Sequence, residues 1–151
     1  MMTTRAHAEH LLENAAGFLA GARHLSADDH HHSREILLHH IACAIELSLK
    51  SFLQFRGWSD ERCRLEIRHD LTKALDAAEG LGFHPSYPDL PPLLAILSPY
   101  YCRHRIRDLA AHEPAILSPQ QALKAAEELL SDVRAACPKG SGLGGPSSRS
   151  P

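Results

Sequence analysis

Aromatic residues are scarce in this chain of 151 residues, with Phe, Tyr and Trp together making up 5%. Sheets draw heavily on aromatic and β-branched side chains, so the shortage, beside abundant Ala and Leu, points to packed helices with an aliphatic core. An excess of one charge is missing too. Sixteen Lys and Arg stand against eighteen Asp and Glu, a formal net charge of −2, and that balance does not advertise nucleic acid. There is no Cys-x-x-Cys pair. Cys43, Cys63, Cys102 and Cys137 lie far apart, which argues against a disulfide framework or zinc ribbon and in favour of buried, inert thiols. Met1 to Asn14 contain no apolar run and no later stretch is expected to span a membrane. The chain therefore reads as soluble and cytoplasmic.

What is present is helical periodicity. Ala8, Leu11, Leu12, Ala15, Phe18, Leu19 and Ala22 recur on one face of a first helix from Thr4 to about Ala22. Ser26, with Asp28 and Asp29 after it, predicts the start of a second helix near Ala27 that runs to Arg56 and is stopped by Gly57. Its stripe of Leu38, Ile41, Ile45, Leu49 and Phe52 marks the centre of the core. Ser59 and Asp70 are N-caps for two shorter helices, the second ending at Gly80 and Gly82. Asp89 followed by Pro91 and Pro92 suits a helix start, and Ser98-Pro99 predicts that a separate segment opens there. Ser118-Pro119-Gln120-Gln121 opens the last helix with a cap, a first-turn proline and a capping-box glutamine. The expectation is one all-α domain over residues 4 to 137, an up-down bundle of about five helices. A Gly, Pro and Ser-rich disordered tail is expected over residues 138 to 151.

Twelve histidines are the compositional oddity. His30-His31-His32 and His39-His40 invite a metal hypothesis, but neighbours on a helix point about 100° apart and no recognised ligand spacing is present. No metal and no cofactor is expected.

Ala44-Ile45-Glu46-Leu47-Ser48-Leu49-Lys50-Ser51-Phe52-Leu53, then Gly57, then Ile67-Arg68-His69-Asp70-Leu71, resembles the HEPN-like proteins of bacteria. In these a long helix with an E-L-x-L-K-x-F-L pattern is followed by a Gly-His-Asp-Leu motif. Leu97 to Tyr101 and Arg105-Ile106-Arg107 extend the likeness to residues 35 to 110, and Arg68 stands where the pattern has Gly. The resemblance implies an all-helical, often dimeric bundle. Its members range from metal-independent ribonucleases, including toxins held by an antitoxin or other protein partner, to nucleotide binders and non-catalytic adaptors.

Catalytic HEPN-like members carry an Arg followed, after four to six residues, by His, and Arg107 with His112 fits. Spacing alone says little: twelve arginines and twelve histidines make about three chance matches, eight pairs in this chain qualify, and position within the fold favours Arg107/His112 or, second, Arg64/His69. If the pair works, His112 exchanges protons while Arg107 binds phosphate oxygens as a 2′-hydroxyl attacks the adjacent phosphorus. Arg64 and Arg68 in one run, and Arg103 and Arg105 in another, form a phosphate-binding face if the two runs are neighbours; the bland alternative is solvated ion pairs. Glu46 and Lys50 are spaced as a helical ion pair, and the resemblance brings them to His69, with His69 locking the turn that Asp70 caps. The other ten histidines read as solvated. Function is thus expected to be RNA- or nucleotide-phosphate binding, with ribonuclease activity of the toxin kind within reach. The alternative is a non-catalytic dimerisation or adaptor module.

Overall fold

The computed structural model describes residues 4–26 and 31–138. Helix α1 spans Thr4–Leu25, α2 His31–Phe55 and α3 Asp60–Arg62, which runs on into a π-helical turn over Cys63–Ile67. Then come α4 Leu71–Gly80, α5 Leu90–Cys102, α6 Ile106–Ala110 and α7 Pro119–Ala136. Among the described residues there is no strand, and five of the helices have ten residues or more.

Helix α2 is the axis of the core. Leu38, Ile41, Ile45, Leu49, Phe52 and Leu53 are at most 2% exposed, each contributing roughly 1.5–3 kcal/mol by leaving water. Helix α1 lies antiparallel to it. Ser51 Oγ donates to Ala8 O at 2.6 Å near one end, and at the other Gly21 passes so close to His40 that a Cβ would come within 3.0 Å of its ring. Helix α7 runs antiparallel to α1, tied by Arg23 to Glu127 and by Arg5 Nη2 to Pro138 O at 2.6 Å. Helices α4, α5 and α6 pack on the remaining side of α2.

The expected caps at Ser59, Asp70 and Ser118 are present, each side-chain oxygen accepting a backbone N–H three residues on. Two expectations change. Ser26 turns its hydroxyl back onto Arg23 O at 2.7 Å, closing α1, while the acidic start read at Asp28 and Asp29 lies outside the described residues. Ser98-Pro99 does not open a new segment, because α5 continues through Pro99 to Cys102. Buried Leu93, Leu94, Leu97 and Tyr101 hold that helix on both sides of the proline, and Pro99 and Ala95, whose carbonyl loses its partner, are both exposed. Ser98 is buried and caps α4 instead, accepting from Leu71 N at 2.8 Å.

Residues 33–55 of α2 are long and apolar enough to cross a membrane by length and composition, contrary to the expectation that no stretch is, and 67% of that window is buried in the bundle. Of the expected tail only Pro138 is described; residues 139–151 lie outside the described residues, as do His30 and the side chains of His31 and His32.

Because α5 carries its proline mid-helix, Pro99→Ala should raise unfolding stability by about 1–2 kcal/mol. This is the roughly 3 kcal/mol penalty less proline's restriction of the unfolded chain. Urea melts of the two proteins check it, and a fall in stability would contradict a continuous α5.

Candidate functional site

The π-helical turn ends where Arg68 N donates to Cys63 O at 3.1 Å, and Asp70 N then donates to Ile67 O at 2.9 Å. Ile67 to Asp70 is thus a tight turn. Its first central residue, Arg68, has φ 56 and ψ −119, the geometry of a type II′ turn, whose first central position belongs to glycine. Arg68 therefore stands in a strained conformation at a turn position that favours glycine. The turn aims His69 back at the middle of α2, and Cys102 Sγ donates to His69 O at 3.2 Å from α5.

Waiting on α2 is the Glu46 carboxylate, 7% exposed. It accepts from Lys50 Nζ at 2.6 Å, from Tyr101 Oη at 2.5 Å and from His69 Nδ1 at 3.0 Å. A carboxylate has no proton to give, so His69 must carry its hydrogen on Nδ1. The ring is half-exposed. Burial, and after it the charge and hydrogen bond of Glu46, drive the Tyr101 phenol far above the ordinary range, so it stays a donor. Burial also raises all four thiols, Cys137 to about 11. None of them carries the thiolate that reactivity needs.

Tyr101 lies at the base of an open cleft of about 350 Å³ lined also by Glu35, His39, His104, Arg105, Arg107 and Asp108. His39 and His69 meet the Tyr101 ring edge-on, at 5.9 and 5.7 Å between centroids, and His69 meets His104 at 6.2 Å. The far wall is set by how α5 ends. His104 N donates to Tyr101 O and Arg105 N to Tyr100 O at 2.7 Å, the paired bonds of a Schellman motif with His104 at its left-handed position, φ 57. Arg68 and His104 are the two non-glycine residues with positive φ among those described, and His104 lines this cleft. Helix α6 is anchored by Arg34, whose Nη1 donates to Ala110 O at 3.1 Å. A second concavity, of about 340 Å³, is lined by Pro99, Tyr100, Arg103, Arg105 and Asp108 and shares its last two residues with the first.

The structure brings Glu46, Lys50 and His69 together, and joins the turn at Arg68 to the run of Arg103, Arg105 and Arg107 through the contact of His69 with His104. Arg107 and His112 have different partners. Arg107 lines the first cleft and reaches Glu35 at 3.8 Å, whereas His112 meets the Tyr100 ring at 6.5 Å and does not line that cleft. Arg64 lies with Asp60 at 3.8 Å on the surface, as the bland reading had it. Asp70 caps α4, and its Oδ1 also accepts from Ser98 Oγ at 3.2 Å.

Two histidines read as solvated are not: His40 donates to Ile36 O and packs on Phe18, and His7 lies 2.6 Å from Gln54 Oε1. His39, His104 and Tyr101 were missed as site residues, though Glu35, His39, Cys43 and Glu46 recur at helical spacing down one face of α2. Among the described residues, no group of three or more His, Cys, Asp or Glu is placed to hold a metal ion. No family model, curated protein or solved structure matches this chain.

Arg68→Gly should relieve the turn and stabilise the fold by about 1 kcal/mol, read as a higher melting temperature; destabilisation would mean that the arginine side chain holds the turn. Because the folded state keeps Tyr101 protonated beyond its ordinary 10.0, it binds more protons than the unfolded chain above that pH. Stability should therefore fall as pH rises past about 10. Tyr101→Phe, weaker at neutral pH, should show a shallower alkaline limb in denaturant melts.

Proposed function

We propose that this chain is a HEPN-like domain whose cleft binds the phosphate groups of RNA or of a nucleotide. The observation that carries this reading is the convergence of Arg105, Arg107, His39 and His104 on one cleft in a chain whose net charge is −2. A local concentration of guanidinium and imidazole groups in a balanced chain is the arrangement that recognises a phosphate oxygen. Strain adds support, since His104, which lines the cleft, is held at positive φ where glycine would be easier.

The cleft's own carboxylates help to shape it. Asp108 pairs with Arg105, and Glu35 stands near Arg107, so the guanidinium groups are pre-oriented and a phosphate would replace a carboxylate as their partner. The second concavity, sharing Arg105, adds the half-buried Tyr100 ring as a surface on which a base can stack. The chemistry suits successive nucleotides of a strand better than a single mononucleotide.

Fluorescence anisotropy with a labelled single-stranded RNA, in EDTA, tests the proposal. Arg105→Ala and Arg107→Ala should each weaken binding by about tenfold or more and lower the salt slope by about one. Absence of binding, or variants that bind like the wild type, would overturn it. The adaptor reading would then stand, with Leu65, 61% exposed, as the first residue to examine.

A further inference from the structure

We propose that the second concavity is a guanine pocket, and that Asp108 is the residue that selects the base. The inference rests on the phosphate-binding reading above and says which nucleotide the site prefers. It turns on a side chain that lines both concavities.

Three observations carry it. The concavity, of about 340 Å³, is lined by Pro99 and by the half-buried Tyr100 ring, which His112 meets edge-on at 6.5 Å between centroids. A flat ring of this kind stacks any base, because every base has a π face, so the choice among bases must come from a polar group. The one carboxylate lining this concavity is that of Asp108. Arg105 reaches it with Nε and Nη2, both on the same oxygen, Oδ2, while Oδ1 has no partner among the described residues. The Asp108 side chain is 44% exposed, so that oxygen is open to a ligand. Finally, Asp108 and Arg105 are the two residues common to both concavities. A nucleotide with its phosphate on Arg105 therefore has its base beside Asp108 and Tyr100.

Hydrogen-bond chemistry then names the base. An ionised carboxylate only accepts, through two oxygens side by side. Among the four RNA bases guanine alone presents two adjacent donors on its Watson–Crick edge, N1–H and the N2 amino group. Adenine and cytosine set one donor beside an acceptor, and uracil sets one donor between two acceptors, so each of them aims a lone pair at a carboxylate oxygen. The two halves of the nucleotide are linked through one exchange. When a phosphate takes Arg105 in place of Asp108, Oδ2 is released, and both carboxylate oxygens become available to the guanine edge. Phosphate and base thus help each other to bind.

A test uses the full chain and four labelled U-rich RNA strands that differ in one central base, G, A, C or U, with binding read by fluorescence anisotropy in EDTA. The G strand should bind about tenfold more tightly than the other three. Asp108→Asn sets a donor beside an acceptor, the pattern that complements adenine and cytosine, and should abolish the preference for G. Because it also removes the charge that competes for Arg105, it should bind the U strand at least as well as the wild type does, which an unfolded variant would not. Tyr100→Leu should weaken all four strands alike, by about fivefold or more. Competition with free 5′-GMP and 5′-AMP separates the sources of the base. GMP displacing the G strand at lower concentration than AMP supports a pocket that also takes a free nucleotide; equal displacement, with the strand preference in place, supports one that needs the neighbouring phosphates of a strand. Equal binding of the four strands by the wild type, a preference for G that survives Asp108→Asn, or unchanged binding in Tyr100→Leu would each overturn the guanine assignment while leaving the phosphate site standing. No binding of any strand would sink the phosphate-binding reading and this one with it.

Discussion

Glu46 places a carboxylate inside a helical bundle, and a charge taken out of water is costly unless every lone pair that faces protein finds a donor. Three donors meet it, from three places in the chain: Lys50 one turn along α2, His69 from the type II′ turn, and Tyr101 from α5. That requirement couples the central helix to two other segments of the chain. Hydrophobic packing permits sliding; three hydrogen bonds to one carboxylate do not. Once Tyr101 is held, the register of α5 is set, and with it the Schellman corner at His104, the placing of Arg105 and the start of α6.

Strain gathers around the same centre. Arg68 and His104 take backbone conformations that glycine adopts more easily; the first precedes His69, which meets the rings of Tyr101 and His104, and the second precedes Arg105, which lines the cleft. The π-helical turn before Arg68 is a third irregularity in the same region, and π turns recur where a helix is bent to serve a site. By contrast Ser59, Asp70 and Ser118 are ordinary N-caps that start their helices. Two non-glycine residues at positive φ and a π turn in one region of a helical bundle fit stability being spent locally on geometry.

Much of the architecture was legible in the chain itself. Capping chemistry is local, so Ser59, Asp70 and Ser118 could be read from three or four residues each, and the stripe from Leu38 to Phe52 announced the core helix by its period. Pro99 misled because the cost of a proline is set by what surrounds it. Burial of Leu97 and Tyr101 on either side outweighs one lost hydrogen bond on the exposed face, and no local rule contains that comparison. Ser98 was misread for the same reason, since its partner, Leu71, lies 27 residues away. Of the site, the joining of Glu46, Lys50 and His69 was anticipated by resemblance, while His39, His104 and Tyr101 were not, because their neighbourhood exists only after α5 folds onto α2. Arg107 and His112, chosen on spacing, have different partners in the fold, Glu35 for the first and the Tyr100 ring for the second.

The account turns on the hydrogen that His69 shares with Glu46. Nitrogen-15 and proton NMR of the histidine side chains, in mildly alkaline solution where the rings are neutral, reads the tautomer of each imidazole directly, with His69→Asn supplying the assignment. A buried carboxylate partner predicts that His69 is the Nδ1–H tautomer, its proton slow to exchange and shifted downfield. A His69 ring that carries its hydrogen on Nε2, or that averages between tautomers as a solvated histidine does, would contradict it.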